Sequence, residues 1–367
     1  MNPILLLSAL AYLTRLSYFW LGQLRSQRVS PTNDVSHAAV SVIVPARNEE
    51  RNISVCIESL VNSDYPASLL EIIVVNDRST DGTAAIIDRL ASEHSQVRAI
   101  HRTESDARDN LRGKPGALQF GIDHSAGTLI LITDADCRVH PQWIRTMVRP
   151  FTNPQVELVA GFTAVRPAGM FARIQDIEWI YTASMAQAAN SHGHPLGCYG
   201  NNLAVRRSAF EEVGGYRGIP FSVTEDLALM QAIDARAGTI VFLCEPTGRV
   251  ETEPCETVGE YLRQKQRWVR GGLGLGWRGF TFIASSVIYW IGLVTSIISG
   301  NWWWIGTFLA LRMLGDGILV AMSAIRLRRW YHLWAGGPVL VLLLLLELLL
   351  PVLVMKRTVR WKDQSFS

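Results

Sequence analysis

Hydrophobic and polar positions along residues 39–134 predict strands and helices in alternation. Short apolar runs typical of buried strands lie at residues 39–45, 71–76, 97–100 and 128–133. Between them, apolar side chains recur at helical spacing in residues 49–60, 80–90 and 114–122. Strands that alternate with helices at this spacing usually pair in parallel. The pattern therefore predicts a parallel sheet with helices on both faces.

The pattern is less regular over residues 156–244. The strand-like runs here are residues 156–164, 201–206 and 239–244, and the predicted helices are residues 170–190 and 223–236. The helix at residues 170–190 is rich in apolar side chains, including Trp179 and Tyr181. It is either the apolar wall of a binding site or an ordinary buried helix, and periodicity alone does not separate the two.

Long apolar segments flank this region on both sides. They are residues 3–24, 280–300, 302–325 and 338–355, and the charges inside them are Arg15, Arg312, Asp316 and Glu347. Segments of about 20 apolar residues are long enough to cross a bilayer. The predicted organisation is an N-terminal transmembrane anchor at 1–24, an α/β domain at 38–278 and a C-terminal transmembrane region at 279–367 with about three hydrophobic segments.

The basic residues beside these segments predict their orientation. Arg25 and Arg28 follow the first apolar segment, which favours a retained anchor over a cleaved signal peptide. By the positive-inside rule, the α/β domain is then cytoplasmic, in a multi-pass protein of the inner or plasma membrane. The basic residues at 356–362 also favour the inside, which four spans would not allow. The side of the C-terminus therefore stays open.

Composition narrows the class of protein. Charged residues make up 18% of the chain, below the roughly 25% of soluble domains. The net charge is only +3, and the basic residues gather beside the apolar segments, which suits anionic lipid headgroups and not nucleic acid. The five cysteines have no paired spacing and are interpreted as reduced residues of a cytoplasmic domain.

Carboxylates follow two of the predicted strands. Asp134 and Asp136 close the run at 128–133, and Asp77 follows the run at 71–76. Ligands of open α/β sheets bind at the carboxyl ends of strands. Two carboxylates at this spacing suit Mg²⁺ or Mn²⁺, which commonly bridge to phosphates. The alternative for each aspartate is a solvated turn.

Two further polar motifs lie later in the chain. Thr224-Glu225-Asp226 opens a predicted helix, where carboxylates also occur simply as caps. Gln264-Lys-Gln-Arg267-Trp268 precedes the first C-terminal apolar segment, where Arg and Trp also occur as membrane-interface residues.

With these motifs in this order, the chain resembles a membrane-bound family 2 glycosyltransferase with the GT-A fold. The motifs span about residues 40–270 and are highly specific as an ordered set. They are Val42-Ile-Val-Pro45-Ala-Arg47-Asn48-Glu49, Val75-Asn-Asp77, Gly113-Lys114-Pro-Gly-Ala117-Leu118, Asp134-Ala-Asp136, Thr224-Glu-Asp226 and Gln264-x-x-Arg267-Trp268. The flanking apolar segments resemble the group of ceramide glucosyltransferases, carotenoid glycosyltransferases and polysaccharide synthases.

The resemblance implies a nucleotide pocket and a cation site. The residues implied to line the pocket are Pro45, Arg47, Glu49 and Asp77. Asp77 would accept a hydrogen bond from uracil, and Lys114 would neutralise the diphosphate or contact the ribose. Asp136 would bind the divalent cation, Mg²⁺ or Mn²⁺, which stabilises the leaving diphosphate. Asp134 would hold the ribose or a metal-bound water.

The resemblance also implies the catalytic residues. Asp226 would be the general base for the acceptor hydroxyl. Arg267 would clamp phosphate and Trp268 would belong to the acceptor site, and Gln264 of the same motif is grouped with them. Because neighbouring helix residues do not share a face, we expect only one of Glu225 and Asp226 to point into the pocket.

The leading hypothesis is an inverting, metal-dependent transferase that moves a hexose from a UDP-sugar to a hydroxyl of a membrane lipid. The first alternative is a processive polysaccharide synthase. A catalytically inert membrane scaffold with the same fold is a second alternative. A third alternative, a sugar nucleotidyltransferase, lacks support because no Gly-rich phosphate loop follows the first strand of this chain. The particular sugar, the acceptor and the oligomeric state do not follow from the sequence.

Overall fold

The computed structural model describes residues 2–26, 38–103, 111, 113–330, 334, 336–355, 359–361 and 364–366. The strands are β1 (Val40–Ala46), β2 (Leu70–Asp77), β3 (Val97–Arg102), β4 (Leu129–Ile132), β5 (Arg138–Val139), β6 (Val156–Gly161), β7 (Thr163–Val165), β8 (Leu203–Arg206), β9 (Thr239–Leu243), β10 (Val250–Thr252), β11 (Val359–Trp361) and β12 (Gln364–Phe366). The α-helices are α1 (Pro3–Arg25), α2 (Ile53–Val61), α3 (Thr83–Glu93), α4 (Lys114–Asp123), α5 (Trp143–Val148), α6 (Gly169–Asn190), α7 (Arg207–Glu212), α8 (Gly215–Gly218), α9 (Glu225–Ala235), α10 (Val258–Gly272), α11 (Trp277–Ile298), α12 (Trp302–Ala310), α13 (Gly317–Arg326) and α14 (Gly336–Met355). Arg28 and most of the basic cluster at 356–362 lie outside the described residues.

The central sheet is mixed. Among the described residues it has seven strands in the order β3-β2-β1-β4-β8-β6-β9. Strands β3, β2, β1 and β4 are parallel, which confirms the parallel sheet predicted for the first half. Strand β8 is antiparallel to both β4 and β6, whereas β6 and β9 are parallel. The carboxyl ends of β1, β2 and β4 therefore meet at one edge, where α/β folds bind ligands.

Both faces of the sheet are buried. Ile43 and Ile73 belong to the core formed with α4 and α6, whereas their neighbours Val42, Val44 and Ile72 belong to the core formed with α2, α3 and α5. With apolar contacts on both sides, these strands have almost no polar positions. This explains why their sequences appear as continuous apolar runs.

A second, small sheet is built from three short strands that alternate along the chain with strands of the central sheet. It has the order β5-β10-β7, with β10 antiparallel to β5 and parallel to β7. The sequence pattern does not predict β5 or β10, because strands of two or three residues are too short to show a period. Strand β5 begins at Arg138, so this sheet holds the chain directly after Asp136.

Helices long and apolar enough to cross a membrane account for the first three predicted segments. Within the described part of the chain there are three: Pro3–Arg25, Trp277–Ile298, and the continuous helix Trp302–Arg326. The last of these contains a π-helical segment at Leu311–Asp316. The fourth predicted segment forms α14, whose apolar part, Gly336–Leu349, is shorter.

The charged residues inside these helices pair with one another. The Arg312 side chain is 1% exposed, and its guanidinium lies 3.0 Å from Asp316 and 2.9 Å from Glu347 of α14. The hydroxyl of Tyr12, in α1, donates a hydrogen bond to Asp316 at 2.9 Å. Charges in a bilayer are costly unless they are paired. This network therefore ties α1, the π-helical segment and α14 together.

Helix α6 joins the α/β domain to these apolar helices. Arg15 of α1 donates a hydrogen bond to the hydroxyl of Tyr181 at 3.3 Å, and Gln23 donates one to the carbonyl of Ser184 at 2.7 Å. Gly22 packs so closely on the backbone of α6 that a side chain there would clash. The helix predicted at residues 170–190 is thus buried between the domain and the N-terminal segment.

Candidate active site

One cavity of about 430 Å³ lies at the carboxyl ends of β1, β2 and β4. Every residue that the resemblance assigns to the site lines it. These residues are Pro45, Arg47, Glu49, Asp77, Lys114, Asp134, Asp136, Asp226, Gln264, Arg267 and Trp268. Side chains from opposite ends of the domain are therefore brought within reach of one ligand.

The nucleotide end of the cavity is formed where β1 and β2 end. Pro45, Arg47 and Glu49 follow β1, and Asp77 is the last residue of β2. Asp77 is buried, and its Oδ1 lies 3.0 Å from Arg78 and 3.5 Å from Arg102. These two ion pairs hold the carboxylate in place. Whether it meets a uracil remains a prediction.

Asp134 and Asp136 lie just beyond β4. The thiol of Cys137 donates to Asp136 Oδ1 at 3.3 Å, and the thiol of Cys56 donates to the carbonyl oxygen of Asp134 at 3.4 Å. No group of three or more His, Cys, Asp or Glu side chains among the described residues is arranged to hold a metal ion. Mg²⁺ is usually held by one or two carboxylates together with substrate phosphates. The pair therefore fits a cation that is shared with a diphosphate.

Lys114 lies between two carboxylates of the cavity. Its Nζ is 2.7 Å from Asp134 Oδ1 and 2.9 Å from Glu225 Oε1. Burial disfavours the ammonium, but Asp134 and Glu225 outweigh this effect and raise the pKa of Lys114 well above its usual value. Lys114 is therefore a fixed positive charge beside the predicted cation site.

Glu225 and Asp226 both line the cavity, so the expectation that only one would do so is wrong. They are the first residues of α9. The end of this helix, and not its side, faces the cavity, so consecutive side chains spread around the helix axis into the same space. Burial and the adjacent Glu225 raise the pKa of Asp226 to about 6. Gly200 leaves room for this carboxylate, since a Cβ there would lie 3.0 Å from Asp226 Oδ2.

Helix α10 carries Gln264, Arg267 and Trp268. A capping box fixes its start, because Thr257 Oγ1 accepts from the Glu260 amide while the Glu260 carboxylate accepts from the Thr257 amide. Near its end, α10 packs closely on Thr224, the residue before α9. A side chain at Gly271 would clash with Thr224, so only glycine fits there. This contact brings the two helices that carry the predicted catalytic residues together.

Aromatic rings line the part of the cavity near α10. Trp179 of α6 stacks on Tyr199, with ring centroids 5.0 Å apart, and lies 5.2 Å from Trp268. Sequence reasoning named Trp179 only as part of an apolar wall and missed Tyr199 and Phe242, which also line the cavity. One sequence signal could have indicated Tyr199. Gly197 and Gly200 flank the Cys-Tyr pair, and glycine lets the backbone come close to a ligand.

Family profiles identify the chain. The profile described as "Glycosyl transferase family group 2" matches residues 129–356, and the profile described as "Glycosyl transferase family 2" matches residues 41–214. The chain belongs to the family 2 glycosyltransferases. This confirms the resemblance found in its motifs and the enzyme class that the family represents.

Curated relatives agree with this family. The beta-monoglucosyldiacylglycerol synthase of Synechocystis is 29% identical over 65% of this chain and 48% of its own length. The poly-beta-1,6-N-acetyl-D-glucosamine synthase of Staphylococcus epidermidis is 26% identical over 72% of this chain and 62% of its own. The chain thus spans about half the length of the first relative and under two thirds of the second.

A solved structure supports the fold. The mannosyltransferase PcManGT of Pyrobaculum calidifontis, in complex with GDP-mannose and Mn²⁺, aligns with a TM-score of 0.59 over 91% of this chain and 97% of that chain. The sequence identity is 20%, so the likeness concerns the fold alone. The prediction of a GT-A domain flanked by apolar helices is confirmed at this level.

Proposed function

We propose that the protein transfers a hexose from a UDP-sugar to a hydroxyl group of a membrane lipid, with inversion at the anomeric carbon. One observation carries this proposal: a single cavity joins the predicted nucleotide and cation residues to Asp226 and to an apolar end beside the membrane helices. The names of the relatives support the same substrate classes, since one acts in glucosyldiacylglycerol synthesis.

The donor binds at the carboxyl ends of β1, β2 and β4 in this proposal. Asp136 and Asp134 would hold a divalent cation, which would supply positive charge to stabilise the leaving diphosphate. Without a cation, these carboxylates would repel the phosphates. Lys114 and Arg267 add positive charge from the protein itself.

Asp226 takes the proton of the acceptor hydroxyl in this proposal. A base works best when its pKa lies near the operating pH, and burial beside Glu225 raises the pKa of Asp226 to about 6. The acceptor oxygen then attacks the anomeric carbon on the face opposite the leaving diphosphate. A single displacement of this kind inverts the anomeric configuration.

The acceptor enters from the membrane side in this proposal. Ala186, Leu196, Val269 and Leu275 give this end of the cavity an apolar lining. Leu275 lies just before Trp277, which begins α11 and is 62% exposed. Exposed Trp residues at the start of an apolar helix suit the bilayer interface. A lipid could therefore present its hydroxyl without leaving the membrane.

We place the domain on the cytoplasmic side of a multi-pass membrane protein, because Arg25 lies at the domain end of α1 and nucleotide sugars are cytoplasmic metabolites. Labelling of single introduced cysteines in intact cells with a membrane-impermeant thiol reagent tests this orientation. Labelling of the domain from outside would contradict it.

The full chain, purified in detergent with dioleoylglycerol and Mn²⁺, tests the activity. Radiolabelled UDP-glucose, UDP-N-acetylglucosamine and GDP-mannose are supplied in turn, and the lipid phase is analysed by chromatography. We expect a UDP-sugar to label a lipid, with Asp226→Asn as the inactive control. No labelled lipid from any donor, or equal transfer to a water-soluble sugar, would refute the proposal. Labelling from GDP-mannose alone would refute the uridine donor.

A processive polysaccharide synthase is the second candidate. The similarity to the poly-N-acetylglucosamine synthase favours it, as does the motif of Gln264, Arg267 and Trp268. The length of the product distinguishes the two candidates: one sugar per lipid supports the leading proposal, and a ladder of oligomers supports the synthase.

A further inference from the structure

The indole N–H of Trp179 is a buried donor without a partner. Nε1 of this ring makes no hydrogen bond within the part of the chain that the structure describes, although Trp179 is only 5% exposed. Buried polar groups nearly always have a partner, so each exception needs an explanation. Because Trp179 lines the cavity, a bound ligand can provide the missing acceptor.

A complementary acceptor lines the same cavity. Oε1 of Gln264 is buried and also has no hydrogen-bond partner among the described residues. Gln264 is four residues before Trp268 on α10, so the two side chains share one face of that helix. Trp268 in turn contacts Trp179, with ring centroids 5.2 Å apart. The orphaned donor and the orphaned acceptor therefore belong to one region of the cavity.

Packing prevents the Trp179 ring from turning to find a partner in the protein. The ring stacks on Tyr199, and the hydroxyl of Tyr199 donates to the Trp179 carbonyl at 2.8 Å. The buried ion pair of Lys265 and Glu178 also connects α10 to α6, with the ammonium 6.0 Å from the centroid of Trp179 and 3.9 Å from that of Trp268. These contacts hold the indole in place at the wall of the cavity.

We propose that Trp179 Nε1 and Gln264 Oε1 form a subsite for a hydroxyl group of a polyol, which is either the hexose of the donor or the head group of the acceptor. A hydroxyl both accepts and donates a hydrogen bond, so it satisfies the two orphaned atoms together. A phosphate has no proton for Gln264 at neutral pH, and an acyl chain would leave both atoms unpaired. This inference rests on the proposed function and adds Trp179 as a ligand-binding residue.

Trp179→Phe tests the subsite because it keeps an aromatic ring and removes the N–H. Losing a hydrogen bond between neutral groups weakens binding by about three- to tenfold, so we expect that change in the Kd of one ligand. Since no bond within the protein is lost, the melting temperature of the ligand-free chain should stay the same or rise. If the indole had only a structural role, Trp179→Phe would lower the melting temperature and leave the ligand affinities unchanged.

Trp143→Phe is the matched control. The Trp143 ring is fully buried away from the cavity, and its Nε1 donates to Asn202 Oδ1 at 2.9 Å. Removing this donor leaves a buried amide oxygen unpaired. We therefore expect a lower melting temperature with unchanged ligand affinities.

The measurement is the shift in melting temperature of the full chain in detergent with UDP, UDP-glucose or monooleoylglycerol, which keeps a second hydroxyl when the first one is the acceptor. If the subsite holds the hexose, Trp179→Phe reduces the affinity for UDP-glucose but not for UDP. If it holds the acceptor head group, only the affinity for monooleoylglycerol falls. These experiments measure binding, so their outcome does not depend on whether the protein transfers a sugar. A variant that binds both ligands as the wild type does, or a wild type that binds neither, overturns the proposal.

Discussion

Asp226→Asn should abolish sugar transfer while leaving donor binding intact. Asparagine keeps the size of the side chain, so it still fits against Gly200, but its amide cannot take the acceptor proton. A positioned general base contributes on the order of 10²–10⁴-fold to the rate. The expected loss in kcat therefore corresponds to about 3–5 kcal/mol of activation free energy.

The raised pKa of Asp226 sets the pH dependence of the reaction. With a pKa of about 6, the carboxylate is about nine-tenths ionised at pH 7 and about one-tenth ionised at pH 5. Because only the ionised form accepts a proton, kcat should fall about tenfold between these two values. The decrease in kcat therefore lies on the acid side of the pH–rate profile.

Glu225→Gln provides the control for this argument. Removing the negative neighbour lowers the pKa of Asp226, so the acid limb should move to lower pH and the ratio of the rates at pH 5 and pH 7 should rise. The absolute rate should fall as well, because Glu225 also holds Lys114 at 2.9 Å. The ratio of the two rates therefore isolates the effect on the base.

Initial rates of transfer to dioleoylglycerol between pH 5 and pH 8, together with UDP binding by calorimetry, test this reasoning. A near wild-type rate for Asp226→Asn would show that the assigned mechanism is wrong. Loss of UDP binding in that variant would assign Asp226 to the nucleotide site or to the fold. An acid limb that does not move in Glu225→Gln would refute the electrostatic argument.

Four further changes have defined outcomes. A chelator should abolish transfer, and Mn²⁺ or Mg²⁺ should restore it; full activity in excess chelator would exclude the cation site. Asp136→Ala should weaken the binding of UDP-glucose measured by calorimetry. Glu347→Leu should destabilise the protein by about 3 kcal/mol, the scale for breaking a buried ion pair, because Arg312 loses one of its two carboxylates; an unchanged thermal unfolding curve would contradict this. Gly200→Ala should lower kcat more than it lowers UDP binding, since the new methyl group displaces Asp226, and equal effects on both would argue against that contact.

The sequence by itself determined the first half of the fold. Apolar runs alternate with helical periods from residue 39 to residue 134, and these patterns report local backbone preference and burial. The runs became β1 to β4, with the predicted parallel pairing. The four apolar segments could be predicted for the same reason, since length and composition alone decide whether a helix suits a bilayer.

Much of the candidate site was also predictable from the sequence. Parallel strands have their carboxyl ends at the same edge of a sheet. Once the strands were identified, Asp77, Asp134 and Asp136 could therefore be predicted to lie near one another. The family motifs then indicated Asp226 and Arg267, which no periodicity connects to that edge. The structure brings all of them to one cavity.

Only the tertiary structure decided how these groups face one another. The antiparallel pairing of β8, the contact of Lys114 with Glu225 and the unpartnered N–H of Trp179 depend on residues far apart in the chain. The same is true of the pairing of Arg312 with Glu347 inside the apolar helices. Hydrophobic patterns report whether a residue is buried, but the partner of a buried polar group depends on which elements pack together. That packing is set by the whole chain, so a local sequence pattern does not contain it.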